Sequence, residues 1–322
     1  MPRPGRRALL SAAILAPFVA QAQTTYPTRP VRVVIPFGPG GGTDNLARII
    51  EIGVGRVLGQ TLVIDTRPGG GGVIGTEVVA RAEPDGQTIL LVDSSFSINP
   101  GLMPRLPYDP LRDFIPICLL ASGSTVLLVH PSLNVNTLQE FLALARARPG
   151  ALNYASGGNG TSPHLAGELL KMVAGIDMTH VPYRGTGPAT NDVVAGHVPV
   201  MFNGVSAAKP HVDAGRLRAL AVSGSTRNRA LPDVPTFSEA GLEGLEASGH
   251  WGVLVPARTP RGIVDKLTEA FIAGMRDPAV APRLEGLGFT PVGEGPQHYA
   301  SLLGVEIERW TRVIRNANIK VD

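Results

Sequence analysis

A glycine-rich loop separates an apolar segment from an amphipathic one near the start of the chain. Residues 38–44 read GPGGGTD and follow the apolar run VRVVIPF at 31–37. Glycine leaves the backbone free of side chains and permits positive φ. The free amides and the dipole at the N-terminus of a following helix attract an anion. This pattern predicts that backbone amides bind a small anion, with Thr43 or Asp44 capping the helix.

Nucleotide phosphate is the first candidate for this anion, but the spacing does not fit it. A Walker loop ends in Gly-Lys followed by Ser or Thr, and no lysine follows here. A Rossmann fingerprint needs a third glycine where this chain has Thr43. We therefore expect a carboxylate, while a tight turn without a ligand stays the alternative.

Similar loops follow three other predicted strands. Their sequences are LVDSSFS at 91–97, YASGGNGTSPHLAGELL at 154–170 and VPYRGTGPATNDVV at 181–194. Thr161 or Ser162 is expected to cap the helix of the second of these loops. Arg184 either binds the ligand or ties its loop to a carbonyl. Ligands of open α/β sheets bind beyond the carboxyl ends of the strands, so these loops predict one shared site.

Catalytic and metal-binding patterns are incomplete. Ser206 lies in GVSAA, which lacks the last glycine of a nucleophile elbow, and forms S-x-x-K with Lys209 without the accompanying motifs. His164 and Glu168 have the spacing of two metal ligands on one helix face, but no third ligand is near in sequence. We expect His164 to line the cleft or anchor its loop. The prediction is a protein that is not an enzyme and has neither a metal nor a cofactor, with a serine hydrolase as the remote alternative.

The elements that carry these loops alternate between strands and helices. Residues 31–95 read as β-α-β-α-β, residues 96–114 as irregular, and a second α/β series follows. Extended segments at 115–131 and 247–257 flank that series. Trp251 and Trp310 are expected to pack in the core or at the hinge.

This order predicts a two-lobed α/β fold in which each lobe is a doubly wound mixed or parallel sheet flanked by helices. Lobe 1 would comprise residues 23–125 and 249–322, lobe 2 would be the insertion 126–248, and the two crossing strands would form the hinge. A cleft between such lobes is a common ligand site.

The first residues have the pattern of an export signal. Three arginines precede an apolar segment that ends in Ala20-Gln21-Ala22, so residues 1–22 are predicted to be a signal peptide cleaved before Gln23. Its removal lowers the formal charge from +3 to zero, which gives no reason to expect a nucleic-acid partner. The single cysteine, Cys118, excludes an intrachain disulfide. We expect a periplasmic monomer.

Five segments together resemble the Bug family, the extracytoplasmic solute receptors of tripartite tricarboxylate transporters. They are YPTRPVRVVIPFGPGGGTDNLAR, VIDTRPGGGGVIGTEVVARAEPDGQTILL, YASGGNGTSPHLAGELL, HVPYRGTGPATNDVVAGHVPVMF and RLRALAVSGSTRNRALPDVPTFSEAGL. The resemblance implies a Venus-flytrap periplasmic binding protein, type II-like. Its ligand would be a di- or tricarboxylate, an acidic amino acid or an aromatic acid. Its partners would be inner-membrane transporter subunits or, alternatively, the ectodomain of a sensor kinase.

The resemblance also implies ligand-binding residues in three loops. They are Phe37, Gly38, Gly40, Gly41, Thr43 and Asp44 in the first loop, Ser156, Gly157, Gly158, Gly160, Thr161 and His164 in the second, and Tyr183, Arg184 and Gly185 in the third. The predicted set also includes Ser94, Ser95 and Asn203. Pro39 departs from the pattern of the family, and it removes one backbone donor from the first loop.

Overall fold

The computed structural model describes residues 26–316 and residue 319. The predicted signal peptide and its cleavage site lie outside these residues. The described chain forms two mixed β-sheets flanked by helices, which confirms the predicted α/β class.

The first sheet has six strands in the order β11-β4-β10-β3-β1-β2. Their bounds are Val31–Ile35 for β1, Leu62–Thr66 for β2, Thr88–Asp93 for β3, Phe114–Gly123 for β4, Gly249–Pro256 for β10 and Phe289–Glu294 for β11. Strand β1 runs parallel to β2 and β3, whereas β10 runs antiparallel to β3 and β4. The N-terminal β-α units therefore share a sheet with strands from the C-terminal third of the chain.

The second sheet has five strands in the order β7-β6-β8-β5-β9. Their bounds are Thr125–Val129 for β5, Leu152–Ser156 for β6, Met178–Pro182 for β7, Val200–Gly204 for β8 and Arg218–Val222 for β9. Strand β6 is parallel to β7 and β8, while β5 is antiparallel to β8 and β9. The carboxyl ends of β6 and β8 therefore meet at one edge of the sheet.

Ten α-helices cover these sheets in the described part of the chain. Their bounds are Gly42–Leu58 (α1), Val73–Ala80 (α2), Ser95–Leu102 (α3), Leu138–Ala147 (α4), Ser162–Ala174 (α5), Thr186–Val194 (α6), Val205–Asp213 (α7), Arg261–Met275 (α8), Val280–Gly286 (α9) and Pro296–Asn316 (α10). None of the helices described has the length and hydropathy that a bilayer crossing requires.

Helix α1 illustrates how the sequence determines these elements. Leu46, Ile50 and Val54 recur at helical spacing and are almost fully buried. They pack against the first sheet and α8, so the hydrophobic effect fixes the face that α1 turns inward. Gly59 ends the helix in the left-handed conformation, with φ of 71°.

Short connections join the two sheets. Strand β4 ends at Gly123 in the first sheet and β5 begins at Thr125 in the second, so Ser124 alone links them. The chain returns between the end of β9 at Val222 and the start of β10 at Gly249. The lobe boundaries at 126 and 248 stay a prediction.

One helix occupies a segment that the sequence indicated to be irregular. Helix α3 contains Pro100, which usually interrupts a helix. Its Phe96 and Ile98 are fully buried, so tertiary packing outweighs the unfavourable local sequence. Helix α3 packs along α10, whose Trp310 lies in the core of the second sheet.

Candidate functional site

A cavity lies between the two sheets. Its lining residues come from both of them: Phe37, Gly38, Gly41, Gly42, Thr43, Asp44, Asp93, Gly123, Ser124, Thr125, Gly157, Thr161, Ser162, Pro163, Thr186, Asn203, Gly204, Gly249 and Trp251. The space open to the centre of a water molecule is about 40 Å³. The cavity is therefore narrow and suits a compact ligand.

Four helices begin at the wall of this cavity. Helix α1 comes from the first sheet, and α5, α6 and α7 come from the second. Gly41, Gly185 and Gly204 are the N-cap residues of α1, α6 and α7, and none of these helices has a side-chain cap. The amides of the first turn of a helix have no intrahelical partner, so these helix ends provide hydrogen-bond donors and partial positive charge.

Helix α5 differs because its cap is a side chain. Thr161 Oγ1 accepts a hydrogen bond from the amide of His164 at 3.3 Å, which confirms the cap predicted at Thr161. At α1 the expectation differs from the structure, because Gly41 rather than Thr43 or Asp44 precedes the first helical residue. Asp44 instead accepts from the amide of Gly40 at 3.0 Å.

The first glycine loop contacts the opposite lobe closely. A Cβ atom added to Gly41 would lie 2.7 Å from Thr186 Oγ1, and one added to Gly38 would lie 3.1 Å from the carbonyl oxygen of Arg184. Thr186 also lies against Gly157, where an added Cβ would be 2.8 Å from Thr186 Cγ2. The absence of side chains at these glycines is what lets the two loops approach.

Trp251 forms a wall of the cavity beside the connections between the sheets. Its Nε1 donates to Thr43 Oγ1 at 3.0 Å, and its ring packs edge-on against Phe289. Cβ atoms added to Gly42, Gly123 or Gly249 would lie 3.1 to 3.2 Å from the indole ring. The indole therefore fills space that these glycines leave open.

The two acidic residues at the cavity have different surroundings. Asp44 faces Arg48, whose Nε lies 3.1 Å from both carboxylate oxygens. Asp93 accepts one hydrogen bond from the amide of Ser95 at 3.0 Å. Burial raises the pKa of Asp93 above its usual range because a low-dielectric environment disfavours the charged form.

The predicted ligand-binding residues fall into two groups. Those that line the cavity are Phe37, Gly38, Gly41, Thr43, Asp44, Gly157, Thr161 and Asn203. Those that do not line it are Gly40, Ser94, Ser95, Ser156, Gly158, Gly160, His164, Tyr183, Arg184 and Gly185.

Several residues of the second group hold the loops in place through contacts outside the cavity. Ser156 Oγ lies 2.7 Å from His180 Nε2, and Ser94 Oγ lies 3.0 Å from His250 Nδ1. His164 Nδ1 accepts from the amide of Gly160 at 3.3 Å, and its ring stacks on His180. Burial lowers the pKa of His164 to about 4, so its ring is neutral near pH 7 and can act as this acceptor.

A second groove adjoins the cavity. Gly158, Tyr183 and Arg184 line it together with the glycine cluster 69–72, and Phe37 and Gly157 are common to both spaces. The Arg184 side chain is exposed, so the structure turns it toward this groove and solvent rather than toward the cavity. Tyr183 donates to Asp192 Oδ2 at 2.5 Å, which orients its ring.

The residues considered for catalysis or metal binding have other hydrogen-bond partners, or none, in the described structure. Ser206 Oγ is buried without a hydrogen-bond partner, and Lys209 pairs with Asp213 rather than with Ser206. Glu168 accepts from Tyr154 OH at 2.7 Å and faces Lys171 rather than a metal site with His164. No group of three potential metal ligands occurs among the described residues.

Some lining residues were missed in the sequence. They include Gly42, Asp93, Gly123, Ser124, Thr125, Ser162, Pro163, Thr186, Gly204, Gly249 and Trp251. Asp93 and Thr186 carried a usable signal, because each lies within or beside a predicted strand-end loop. Trp251 carried none, because its position depends on how β10 pairs with β3 and β4.

Comparison with known sequences identifies the family. The family model of TctC, described as tripartite tricarboxylate transporter family receptor, matches residues 46–319. A UPF0065 protein in the tcbD-tcbE intergenic region of Pseudomonas sp. strain P51 is 40% identical, with 96% of this chain and 94% of the relative covered. Protein BugT of Bordetella pertussis is 35% identical, with 97% and 96% covered.

Solved structures agree with this assignment. Periplasmic binding protein BugD has a TM-score of 0.89 at 33% identity, with 92% of this chain and 99% of BugD covered. R. palustris Rpa4515 with adipate has a TM-score of 0.89 at 35% identity, with 92% and 99% covered. MatC from Rhodopseudomonas palustris with bound malate has a TM-score of 0.86 at 35% identity, with 90% and 100% covered. The chain described here therefore belongs to the family of tripartite tricarboxylate transporter receptors and is one of its periplasmic binding proteins.

Proposed function

We propose that this protein captures a small carboxylate in the cavity between its sheets and delivers it to the inner-membrane subunits of a tripartite tricarboxylate transporter. One observation carries the proposal: helix N-termini from both sheets converge on a cavity whose lining includes no lysine, arginine or histidine. Peptide amides are then the main source of positive potential for a bound anion.

The cost of removing a carboxylate from water explains why the cavity wall would need several hydrogen-bond donors. A carboxylate that leaves water must have nearly all its oxygens hydrogen-bonded, or the cost of burial cancels the gain. The glycine-capped starts of α1 and α6 leave amides without side-chain partners. At α7 the amides of Gly204 and Val205 already donate to Asn203 Oδ1 and to the carbonyl of Ser124, and Asn203 Nδ2 donates one of its two hydrogens to Thr190 Oγ1. These donors are fixed by the fold, so little entropy is lost when they bind an anion.

Relatives support a carboxylate as the ligand class. The structures similar to this chain include one protein with adipate and one with malate, and both of these are dicarboxylates. Each covers at least nine-tenths of this chain, so the loops that line the cavity lie within the compared region.

Closure of the lobes would follow from binding. The donors of α1 and those of α5, α6 and α7 belong to different sheets, so only a closed arrangement lets all of them reach one small ligand. The transporter would then recognise the closed receptor. The predicted signal peptide and periplasmic location are part of this proposal.

Gly41→Val tests the anion loop directly. Gly41 has φ of −83° and ψ of 173°, which valine adopts readily, so the variant is expected to fold. Its side chain would meet Thr186 Oγ1 and block the approach of the loops. A thermal-shift screen of di- and tricarboxylates, amino acids and aromatic acids finds the ligand, and calorimetry then measures its affinity. We expect a loss of about a hundredfold or more.

Gly262→Val is the matched control. Gly262 lies exposed in α8, and a Cβ there would have no neighbour within 4 Å. This variant should bind like the wild type. Unchanged affinity of Gly41→Val would remove the loop from the site, and failure of every carboxylate to bind the wild type would overturn the proposal. Loss of uptake of the identified ligand in cells lacking this receptor tests the transporter step.

A further inference from the structure

The cavity lining includes an acidic residue, Asp93, for which the binding of an anion provides no role. Asp93 ends β3 and pairs with Trp251 of the antiparallel strand β10. Residues directly opposite each other in such a pair extend to the same face of the sheet. Both residues line the cavity, so the carboxyl group of Asp93 and the indole of Trp251 form adjoining parts of one wall.

Asp93 has no basic partner at the cavity wall. Asp44, the other acidic lining residue, has Arg48 at 3.1 Å and the amide of Gly40 at 3.0 Å. Among the described residues, Asp93 has only uncharged donors near it, and the amide of Ser95 lies 3.0 Å from its Oδ1. The lining residues include no lysine, arginine or histidine that could neutralise it.

A ligand with only carboxylate groups would suit this wall poorly. Like charges a few ångströms apart in a partly dehydrated space repel each other, whereas an ammonium group is attracted to a carboxylate and donates hydrogen bonds to it. The helix N-termini supply donors for an anion, and Asp93 supplies an acceptor for a cation. The cavity therefore offers donors for the carboxylate of a zwitterion and an acceptor for its ammonium group.

We infer that the ligand is a small amino acid, whose carboxylate contacts the helix N-termini and whose ammonium group pairs with Asp93. This inference rests on the proposed function and narrows its ligand class. The narrow cavity favours compact amino acids over long ones. Asp93 is thereby a specificity-determining residue rather than part of the anion loop.

Matched ligand pairs test the inference on the wild type. Aspartate and succinate, glutamate and glutarate, and alanine and propionate each differ by an ammonium group in place of a hydrogen atom. Calorimetry at neutral pH should show at least one pair in which the amino acid binds about tenfold or more tightly. Tighter binding of the ammonium-free member in every pair that binds, or equal binding, would overturn the inference.

Asp93→Asn removes the charge with little change in shape. We expect this variant to lose the preference for the amino acid by about tenfold, while the ammonium-free acid binds equally well or better. Asp265→Asn removes a charge from an exposed position of α8 and should keep the wild-type preference. A preference that survives in Asp93→Asn would rule out this residue as the ammonium partner.

The two proposals fail in different ways. If both members of the pairs bind equally and Gly41→Val abolishes both, carboxylate capture stands and the role of Asp93 is wrong. If no carboxylate of any kind binds, the proposed function fails and this inference fails with it. Should Asp93→Asn not fold, the pairs measured on the wild type still decide the ligand class.

Discussion

Trp251 Nε1 donates a hydrogen bond to Thr43 Oγ1 over 3.0 Å, although 208 residues separate the two in sequence. Thr43 lies in the first turn of α1, and Trp251 lies in β10, the strand by which the chain returns to the first sheet. The bond therefore holds the start of α1 against the strand beside the inter-sheet connections. A substitution of either residue should therefore affect both the stability of the fold and the shape of the cavity.

Trp251→Phe should lower both stability and ligand affinity. The variant removes the indole donor and leaves the buried Thr43 hydroxyl without it, which costs about 1–3 kcal/mol of unfolding free energy. It also loosens the first turn of α1, which lines the cavity. Urea denaturation and calorimetry measure the two effects.

Trp310→Phe is the control for this prediction. Trp310 Nε1 donates to Glu306 Oε2 at 2.9 Å in the core of the second sheet, away from the residues that line the cavity. It should lose stability while its affinity stays close to that of the wild type. Equal losses of affinity in both variants would show that Trp251 acts only through general stability.

Gly71→Ala should weaken ligand binding by preventing the closed arrangement of the loops. A Cβ on Gly71 would overlap the carbonyl oxygen of Asn159, which belongs to the loop after β6 in the second sheet. Gly71 has φ of 61°, so alanine also costs about 1–2 kcal/mol of backbone strain. Calorimetry should show that the affinity falls by about tenfold or more.

Gly59→Ala distinguishes the effect of backbone strain from the effect of a contact with the opposite loop. Gly59 has φ of 71°, but a Cβ there would meet nothing within 4 Å. Both variants should lose similar stability, and only Gly71→Ala should lose affinity. Normal affinity in Gly71→Ala would mean that the contact with Asn159 is not needed for binding.

Stability should fall between neutral pH and about pH 4. Burial lowers the pKa of His180 to about 3 and of His164 and His250 to about 4, from an ordinary value of 6.5. The unfolded chain therefore takes up protons below pH 6.5 that the folded chain does not, so this stabilisation is complete above pH 6.5 and is lost toward pH 4. Thermal melting from pH 7 to pH 4.5 measures the slope.

His180→Gln should make that slope shallower, whatever it does to stability at pH 7. His298→Gln changes an exposed histidine in α10 and provides the comparison. A slope in His180→Gln that equals the wild-type slope would exclude the half-buried ring of His180 as a source of the pH dependence.

Ser206→Ala should leave stability unchanged or raise it by about 1 kcal/mol, because Ser206 Oγ is buried with no hydrogen-bond partner in the described structure. Ser97→Ala is the matched variant, since Ser97 Oγ donates to the carbonyl of Ser94 at 2.9 Å, and it should destabilise the fold. Urea denaturation compares them. Ester hydrolysis by the wild type that disappears in Ser206→Ala would revive the hydrolase alternative.

Local sequence patterns predicted much of the fold. The helix at LQEFLALARA and the strand at LNYAS have the observed bounds 138–147 and 152–156, because their apolar residues repeat with the period of the element they form. Helix α3 was missed because Pro100 and Gly101 are local signals against a helix. Its burial against α10 depends on residues about 200 positions away, which no local pattern shows.

The residues of the candidate site also fall into those that the local sequence predicted and those whose positions depend on tertiary structure. The glycine loops were predicted because strand, bare loop and helix follow one another within a few residues. His164 and Ser156 turned out to support their loop through Gly160 and His180, since burial and hydrogen bonding decide which way a polar side chain points. Asp93 and Trp251 meet only because β10 runs antiparallel between β3 and β4, and that register is a tertiary property.

The lack of basic side chains at the cavity has a consequence for the speed and range of capture. The field of a helix terminus fades within about one turn, unlike that of a net charge, which is felt across a Debye length of about 10 Å. A solute would thus gain this attraction only once it is inside the gap, so the lining itself contributes little long-range steering to its arrival. The exposed Arg184 of the adjoining groove carries a net charge that acts at a distance, whereas the cavity lining sorts solutes after they enter.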